Sequence, residues 1–335
     1  MSETILCLIP SSLDGSFDKH ALECLTAAEQ LKSALSAQLV VGTWGSAQPD
    51  PSIGSIGASA YLHVDGDAFN QARYATDSAA AEAIAKQCGA TVIIAPANSR
   101  IQRILSGVAQ RMGGTVDTHA TGIESESGKI IVSRWYYRQR MLAKLVRSAR
   151  PCFVSVESGC FPVHTANGSC SFQKISVPAG SRTTVKDVLS STGGDQTIRP
   201  DAELLFVAGA GWTKKQADGT LQHKKAEDLI LSFINKRKAS LGSSKSMVDL
   251  SSEGQEVLSF LTHMHQIGQT GATPRHSKGL STCCHGEEPH AVGWRFVQER
   301  RAINLDPNCG WAHGKADVLY VADAFQVMER INAKL

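Results

Sequence analysis

Short apolar runs alternate with amphipathic stretches in the first third of the chain. Four short apolar runs are consistent with buried strands: residues 5–10, 38–45, 59–64 and 91–96. Between and after them, residues 20–37, 70–88 and 98–112 have apolar side chains three and four positions apart, which predicts helices. Strand and helix therefore alternate, and this order predicts an α/β fold with a largely parallel sheet.

The pattern changes after residue 112. Short β-prone runs at 129–137 and 152–157 are separated by Gly and Ser. Residues 177–201 are rich in Ser, Thr, Gly and Pro and poor in apolar side chains, which is typical of a linker between domains. We therefore predict an N-terminal α/β domain over 1–180, a linker over 181–201 and a C-terminal domain over 202–335.

The α/β alternation resumes in the C-terminal domain. Its predicted elements are a strand at 203–208, a tight glycine turn at 209–211, a helix at 226–240 and a late strand at 301–305. Asp323 precedes a final apolar-periodic stretch and is a suitable N-cap for a terminal helix. Each domain is thus expected to hold a mostly parallel sheet flanked by helices.

Composition narrows the class of protein. With 42% apolar and 19% charged residues, the chain is an ordinary globular one, and its net charge of +3 does not indicate a nucleic-acid partner. No apolar run approaches the roughly 20 residues that a membrane span needs. The N-terminus enters an apolar strand without a basic region or cleavage site, and nine cysteines without framework spacing fit reduced thiols. We expect a cytoplasmic protein.

A basic run covers residues 134–150. Its cations have no acidic residue among them: Arg134, Arg138, Arg140, Lys144, Arg147 and Arg150. Such a run is usually a solvated strand face, and it could also face an acidic partner protein. No nucleic-acid motif accompanies the neighbouring aromatic residues, which favours a protein partner over nucleic acid.

The strongest candidate for chemistry is the sequence QIGQTG at residues 266–271. Glycines let the backbone approach a ligand closely, and amides, a hydroxyl and exposed N–H groups can bind oxygen atoms. By itself the string is also compatible with a polar surface loop. Two further segments favour a cofactor-binding loop over a polar surface loop. They are GSSKSMVD at residues 242–249, and NLDP at 304–307 followed by Ala316-Asp317 and by Asp323.

Together these pieces resemble the C-terminal half of the electron transfer flavoprotein α subunit. In that family the corresponding segments read GASRAAVD, QVGQTG, GISGAIQH, INKDP and ADYG, and they surround one FAD. The resemblance places Gln269 and Thr270 along the flavin or its ribityl and pyrophosphate chain, and Ser244 and Lys245 at the flavin. It places Asn304 and Asp323 near adenosine. The residues assigned to the cofactor are Ser244, Lys245, Gln266, Gly268, Gln269, Thr270, Gly271, Gly286, His290, Asn304 and Asp323.

Three positions depart from the family pattern. Lys245 stands where the family has an arginine, Ala210 replaces the arginine of an earlier GRG turn, and CCHGEEPH at 283–290 replaces GISGAIQH. Lysine offers a point charge where arginine offers a planar fork, and the two glutamates would lie beside a pyrophosphate. His290 would either stabilise the anionic flavin or face solvent.

These departures leave alternatives open. The chain could be an α-like structural or regulatory subunit that has lost FAD. It could also hold an iron-sulfur centre through Cys283, Cys284 and Cys309, although adjacent cysteines cannot easily bind a single metal ion. In the third interpretation, Cys283 and Cys284 are incidental thiols that bind nothing.

The resemblance implies a specific role. The C-terminal domain would be a Rossmann-like FAD-binding domain, and the N-terminal domain would contact an electron transfer flavoprotein β-like subunit in a heterodimer. The complex would accept electrons from a flavin dehydrogenase and pass them to a membrane quinone oxidoreductase. It would turn over no substrate of its own. No Walker A, HExxH or GxSxG string supports a hydrolase instead.

Overall fold

The chain forms two compact units, Met1–Leu189 and Ser190–Leu335. The structure is a computed structural model that describes most of both units. The described residues are 3–136, 141–187, 198–199, 202–252, 257–267, 276–282, 294, 297–309, 312 and 315–335.

The first unit is built on a nine-stranded sheet in the order β7-β6-β5-β8-β4-β1-β2-β3-β9. Its strands are β1 (Thr4–Leu8), β2 (Gln38–Gly45), β3 (Ala60–Asp65), β4 (Val92–Pro96), β5 (Thr115–Glu126), β6 (Lys129–Tyr136), β7 (Met141–Arg147), β8 (Cys152–Val156) and β9 (Gln173–Ile175). All neighbouring strands are parallel except β5–β6 and β6–β7, which are antiparallel. The sheet is therefore mostly parallel with an antiparallel hairpin at one edge.

Helices cover both faces of this sheet. They are α1 (Lys19–Leu35), α2 (Tyr74–Gln87) and α3 (Ser99–Arg111), with short 3₁₀ turns at Pro51–Ile56 and Asp67–Phe69. Because side chains alternate along a strand, Ile5 and Cys7 pack into a core with α1, whereas Leu6 and Leu8 pack into a second core with α2 and α3. This two-sided burial explains why β1 is a continuous apolar run.

The second unit contains a five-stranded sheet in the order β11-β10-β12-β13-β14, and every neighbouring pair is parallel. Its strands are β10 (Leu204–Ala208), β11 (Ser240–Ser243), β12 (Lys278–Thr282), β13 (Glu299–Asn304) and β14 (Val318–Val321), and its helices are α4 (His223–Arg237), α5 (Lys245–Ser252) and α6 (Ala324–Lys334). The predicted α/β class, with a mostly parallel sheet flanked by helices in each unit, is confirmed.

Two predicted helices differ from the observed ones at their ends. The helix expected from residue 70 begins at Tyr74, because Arg73 is extended and its guanidinium donates a hydrogen bond to the Ala68 carbonyl. The helix expected to reach residue 240 ends at Arg237. Lys238 takes a left-handed conformation there and closes the helix, and Ser240 already begins β11.

The basic run is partly neutralised within its own unit. The Arg147 Nε lies 2.6 Å from the buried Asp117 Oδ2, and Arg150 lies 2.9 Å from Glu3. Lys144 lies 3.2 Å from the Glu124 carboxylate. Half of the run's cations therefore have acidic partners in the fold, while Arg138 and Arg140 lie outside the described residues. Within the described part of the chain, no helix has the length and apolar character to cross a membrane.

Candidate functional site

The candidate site lies at the carboxyl ends of the five parallel strands of the second sheet. We call this end of the sheet its carboxyl edge. Since all five strands are parallel, Ala208, Ser243, Thr282 and Asn304 lie along this one edge. Helix α4, which follows β10, covers one face of the sheet, and Trp294, which comes after β12 in the chain, is buried on the opposite face. The edge between β10 and β12 is therefore a topological switch point, where open α/β sheets bind ligands.

Hydrogen bonds join the loops at this switch point. The Gly209 N–H donates to the Thr282 carbonyl at 2.9 Å, and the buried Trp212 Nε1 donates to the Thr282 hydroxyl at 2.8 Å. The Ser244 N–H donates to the Ala208 carbonyl at 2.9 Å. The loops after β10 and β11 and the last residue of β12 are consequently connected. Trp212 also packs against Phe325 of α6, with ring centroids 4.6 Å apart.

The structure brings Gln266 to the end of β11. A parallel bridge pairs Ser243 with Gln266, and the Ile267 N–H donates to the Ser243 carbonyl at 3.2 Å. Ile267 packs over Gly242, where an added Cβ would lie 2.8 Å from its side chain. Ser244 and Gln266, both assigned by the family resemblance, are thus buried near one another.

Three buried polar atoms at this edge have no hydrogen-bond partner among the described residues. They are the hydroxyl oxygens of Ser243 and Ser244 and the Nδ2 atom of Asn304. The Asn304 Oδ1 is occupied, since it accepts a hydrogen bond from the Asp306 N–H at 3.3 Å. Leaving a buried hydroxyl or amide unsatisfied is costly, so these atoms suit a ligand with oxygen atoms.

Asp323 caps α6, in addition to the contact with the cofactor that the family resemblance predicts for it. Its Oδ1 accepts hydrogen bonds from the Phe325 and Gln326 N–H groups, at 2.8 and 3.2 Å, and so caps α6. The predicted N-cap is confirmed. A narrow cleft is lined by Asp323, Asn304 and Gly211, so the carboxylate is also next to the site. Its contact with adenosine stays a prediction.

This edge has fewer basic side chains than the family resemblance predicts around a flavin, because Lys245 and Ala210 stand where arginines are expected. Lys245 begins α5, and its Nζ lies 3.6 Å from the Asp249 carboxylate, with a side chain that is 47% exposed. Ala210, at the other substituted position, is completely buried in the turn after β10.

Comparison with known proteins identifies the family. The family model of the electron transfer flavoprotein domain matches residues 5–180, which is more than half of the chain. The chain belongs to the electron transfer flavoprotein family. It is 25% identical, over 327 residues, to the electron transfer flavoprotein subunit alpha of Syntrophomonas wolfei subsp. wolfei (strain DSM 2245B / Goettingen), and the match covers 96% of each chain. It is a divergent member on the α-subunit side of the electron transfer flavoprotein family.

Some predicted site residues lie outside the described residues. For the cofactor they are Gly268, Gln269, Thr270, Gly271, Gly286 and His290, and for the iron-sulfur alternative they are Cys283 and Cys284. Cys309 is described: it is buried in an apolar cluster with Trp294 and Ala302. Among the described residues, no group of three His, Cys, Asp or Glu side chains could hold a metal ion.

Three residues of the edge were not singled out from the sequence. Trp212 and Thr282 join the turn after β10 to the end of β12, and Ser243 has a hydroxyl without a described partner. Ser243 could have been found from the sequence, because it directly precedes Ser244 in the segment GSSKSMVD that carries the family resemblance. The bond between Trp212 and Thr282 spans 70 residues, so no local pattern indicates it.

Proposed function

We propose that this chain is an electron transfer flavoprotein α-like subunit that binds FAD at the carboxyl edge of its second sheet. The observation that carries the proposal is the set of unpartnered buried atoms on Ser243, Ser244 and Asn304 at a topological switch point. Family membership and a relative that matches nearly the whole chain support it. FAD has many hydroxyl, carbonyl and phosphate oxygens that such donors bind.

The residues at this edge would have distinct roles. Ser244 would donate to a cofactor oxygen, Asn304 would offer its free Nδ2, and the loop 266–271 would follow the flavin and pyrophosphate. Lys245 would supply positive charge at a helix N-terminus. When bound, the flavin supplies the capacity to accept and release electrons, and the protein supplies its position and electrostatic surroundings.

The proposed partner is an electron transfer flavoprotein β-like subunit. The β6–β7 hairpin at the sheet edge supports a protein interface, because it leaves apolar side chains in solvent. Trp135 and Leu142 face each other across the two strands and are 37% and 46% exposed, and Val146 of the same strand is 56% exposed. The heterodimer would take electrons from a flavin dehydrogenase and deliver them to a membrane quinone oxidoreductase.

We place this complex in the cytoplasm. The cysteines in the described part of the chain form no disulfide bond, which is consistent with a reducing compartment.

The test is to co-express the chain with a β-like subunit and measure its cofactor. We expect two visible flavin absorption bands and about one FAD per complex. Ser244→Ala should weaken FAD binding by about 0.5 to 1.5 kcal/mol, because one hydrogen bond is lost. Ser277→Ala is the matched control, since Ser277 donates to Glu203 at the opposite edge of the same sheet.

The same preparation separates the alternatives. A complex without visible absorption would support the structural or regulatory subunit, and unchanged FAD affinity in Ser244→Ala would reject the assigned edge. Anaerobic purification with iron and sulfide analysis would reveal a cluster, which Cys284→Ser should then remove.

A further inference from the structure

An apolar groove lies on the second unit, between α6 and the outer strands of the sheet. Leu280, Ile303 and Tyr320 line it from β12, β13 and β14, and Val327 and Ile331 line it from α6. The groove has a volume of about 610 Å³. It is therefore as large as a typical binding cleft.

The groove exists because the described helices leave the outer strands incompletely covered on one face of the sheet. On this face α4, α5 and α6 form a core with β10 and β11, and of the outer strands only Ile303 belongs to its buried part. On β14, Val318 and Tyr320 point to the groove side, as their pairing with Arg301 and Ile303 shows, yet they remain 42% and 45% exposed. Among the described elements, α6 is the only helix that lines the groove. Exposed apolar surface of this kind is typical of an interaction site.

The charges around the groove are mostly positive. Arg330 and Lys334 follow Val327 and Ile331 by three positions, so they lie beside that apolar stripe of α6, and both are exposed. Neither has an acidic partner among the described residues. Arg301 has only a distant one, with its Nη2 4.0 Å from the Glu299 carboxylate.

The other lysine at the groove is already paired. The Lys278 Nζ lies 2.5 Å from the Glu203 carboxylate, which leaves Arg301, Arg330 and Lys334 as the cations of the rim. Complementary charge is what selects a partner at such a rim.

We propose that this groove binds an acidic amphipathic helix of a partner chain. The incoming helix would lie beside α6, place apolar residues over Ile303, Tyr320 and Ile331, and direct Asp or Glu side chains to the three rim cations. A helix fits because Val327 and Ile331, one turn apart, form a ridge against which a second helix can pack. A second copy of this chain fits poorly, since two such rims would repel each other.

The proposal is tested with labelled peptides and the full chain. The probes are three peptides of about 18 residues, or five helical turns. One is a Leu/Glu amphipathic helix, one has the same apolar face with Lys in place of Glu, and one is a Val/Thr strand-forming peptide for the open edge of β14. We expect fluorescence anisotropy to show the Leu/Glu helix binding about tenfold tighter than the Leu/Lys helix, because several exposed charge pairs each contribute a small factor.

Substitutions locate the binding. Ile331→Asp should abolish binding, whereas Gln326→Asp, on an exposed position of α6 outside the groove, should leave it unchanged. Arg330→Glu alters only the exposed rim and should reduce the preference for the acidic peptide even if Ile331→Asp fails to fold. Measuring FAD in each variant separates this site from the proposed cofactor site.

Three results would overturn the proposal. One is equal affinity for the acidic and basic helices. Another is tighter binding of the strand-forming peptide. The third is self-association of the full chain, seen by light scattering, that Ile331→Asp abolishes.

Discussion

At the scale of single residues, some buried polar groups are fully hydrogen-bonded and others are not. In the first unit the buried Asp77 accepts hydrogen bonds from the Trp44 indole at 2.9 Å and from the Arg100 guanidinium at 2.8 and 2.9 Å. The buried carboxylate is therefore hydrogen-bonded and ion-paired within the protein, which offsets the free-energy cost of its burial. At the carboxyl edge of the second sheet, Ser244 and Asn304 have atoms that no described residue satisfies. Buried hydroxyls without a described partner also occur on two threonines of the first unit, so the position of Ser244 and Asn304 at a topological switch point is what makes them candidates for ligand binding.

His63 is a buried histidine in the first unit and should make its stability depend on pH. Burial lowers the pKa of His63 below its ordinary value of 6.5, Asp65 on the same strand opposes this shift, and Lys174 adds to it. The unfolded chain therefore binds a proton more readily than the folded one. The contribution of His63 is fully present above about pH 6.5 and is lost as the pH falls through the folded pKa.

We therefore expect the melting temperature of the first unit to fall between pH 7 and pH 5, and His63→Gln to reduce that fall. Calorimetric scans at several pH values measure the effect. His223→Gln, in the other unit, is the control. An identical pH dependence in His63→Gln and in the unmodified protein would show that burial does not lower the pKa of this histidine.

At the scale of elements, the C-terminal helix α6 is stabilised at its start by the N-cap residue Asp323. Asp323 satisfies two N–H groups at the start of α6, and α6 packs through Phe325 and Met328 into the main core of the second unit. The cap, the Trp212 contact and the proposed cofactor edge therefore meet at one helix terminus. A change at Asp323 should affect stability and cofactor binding to different extents.

Asp323→Ala should destabilise the second unit by about 0.5 to 2 kcal/mol, the usual effect of removing an N-cap side chain. Asp323→Asn keeps a capping oxygen and should preserve stability. Urea unfolding measures both variants, and Gln326→Ala, on the exposed side of α6, is the control. If the carboxylate also binds ribose, Asp323→Asn should release FAD more readily while unfolding normally. Unchanged FAD affinity would limit Asp323 to its capping role.

At the scale of the whole molecule, exposed apolar surface argues that the chain acts within a complex. The hairpin with Trp135, Leu142 and Val146 belongs to the first unit, and the groove beside α6 belongs to the second. Soluble monomers seldom leave several such side chains together in solvent. Each unit thus offers a surface for a protein partner.

Co-expression with the β-like subunit should give a 1:1 complex, detected by light scattering after gel filtration. Leu142→Asp should weaken that complex, because a buried carboxylate would face an apolar surface. Leu221→Asp, at a leucine of similar exposure in the second unit (53% against 46%), should not. A stable monomer that carries a full complement of FAD without a partner would contradict the heterodimer.

The sequence by itself determined the α/β class and the first four strands, because residues such as Ile5 and Val92 belong to apolar runs buried on both faces. It did not indicate β11, β12 or β14, which are only four or five residues long; β11 and β12 also contain Ser and Gly. Their stability comes from pairing with strands far away in sequence, and local propensity carries no record of that pairing.

The same division holds for the site. Local sequence determined that Ser244, Gln266 and Asn304 are polar residues set among apolar and glycine-containing segments. Only the tertiary structure decided that parallel strands bring them to one edge, that Trp212 reaches Thr282, and that Asp323 is held by its own helix. It also decided that Arg147 pairs with Asp117. The physical reason is that hydrogen bonds and ion pairs depend on distance in space, which the order of strands in the sheet sets and the order of residues does not.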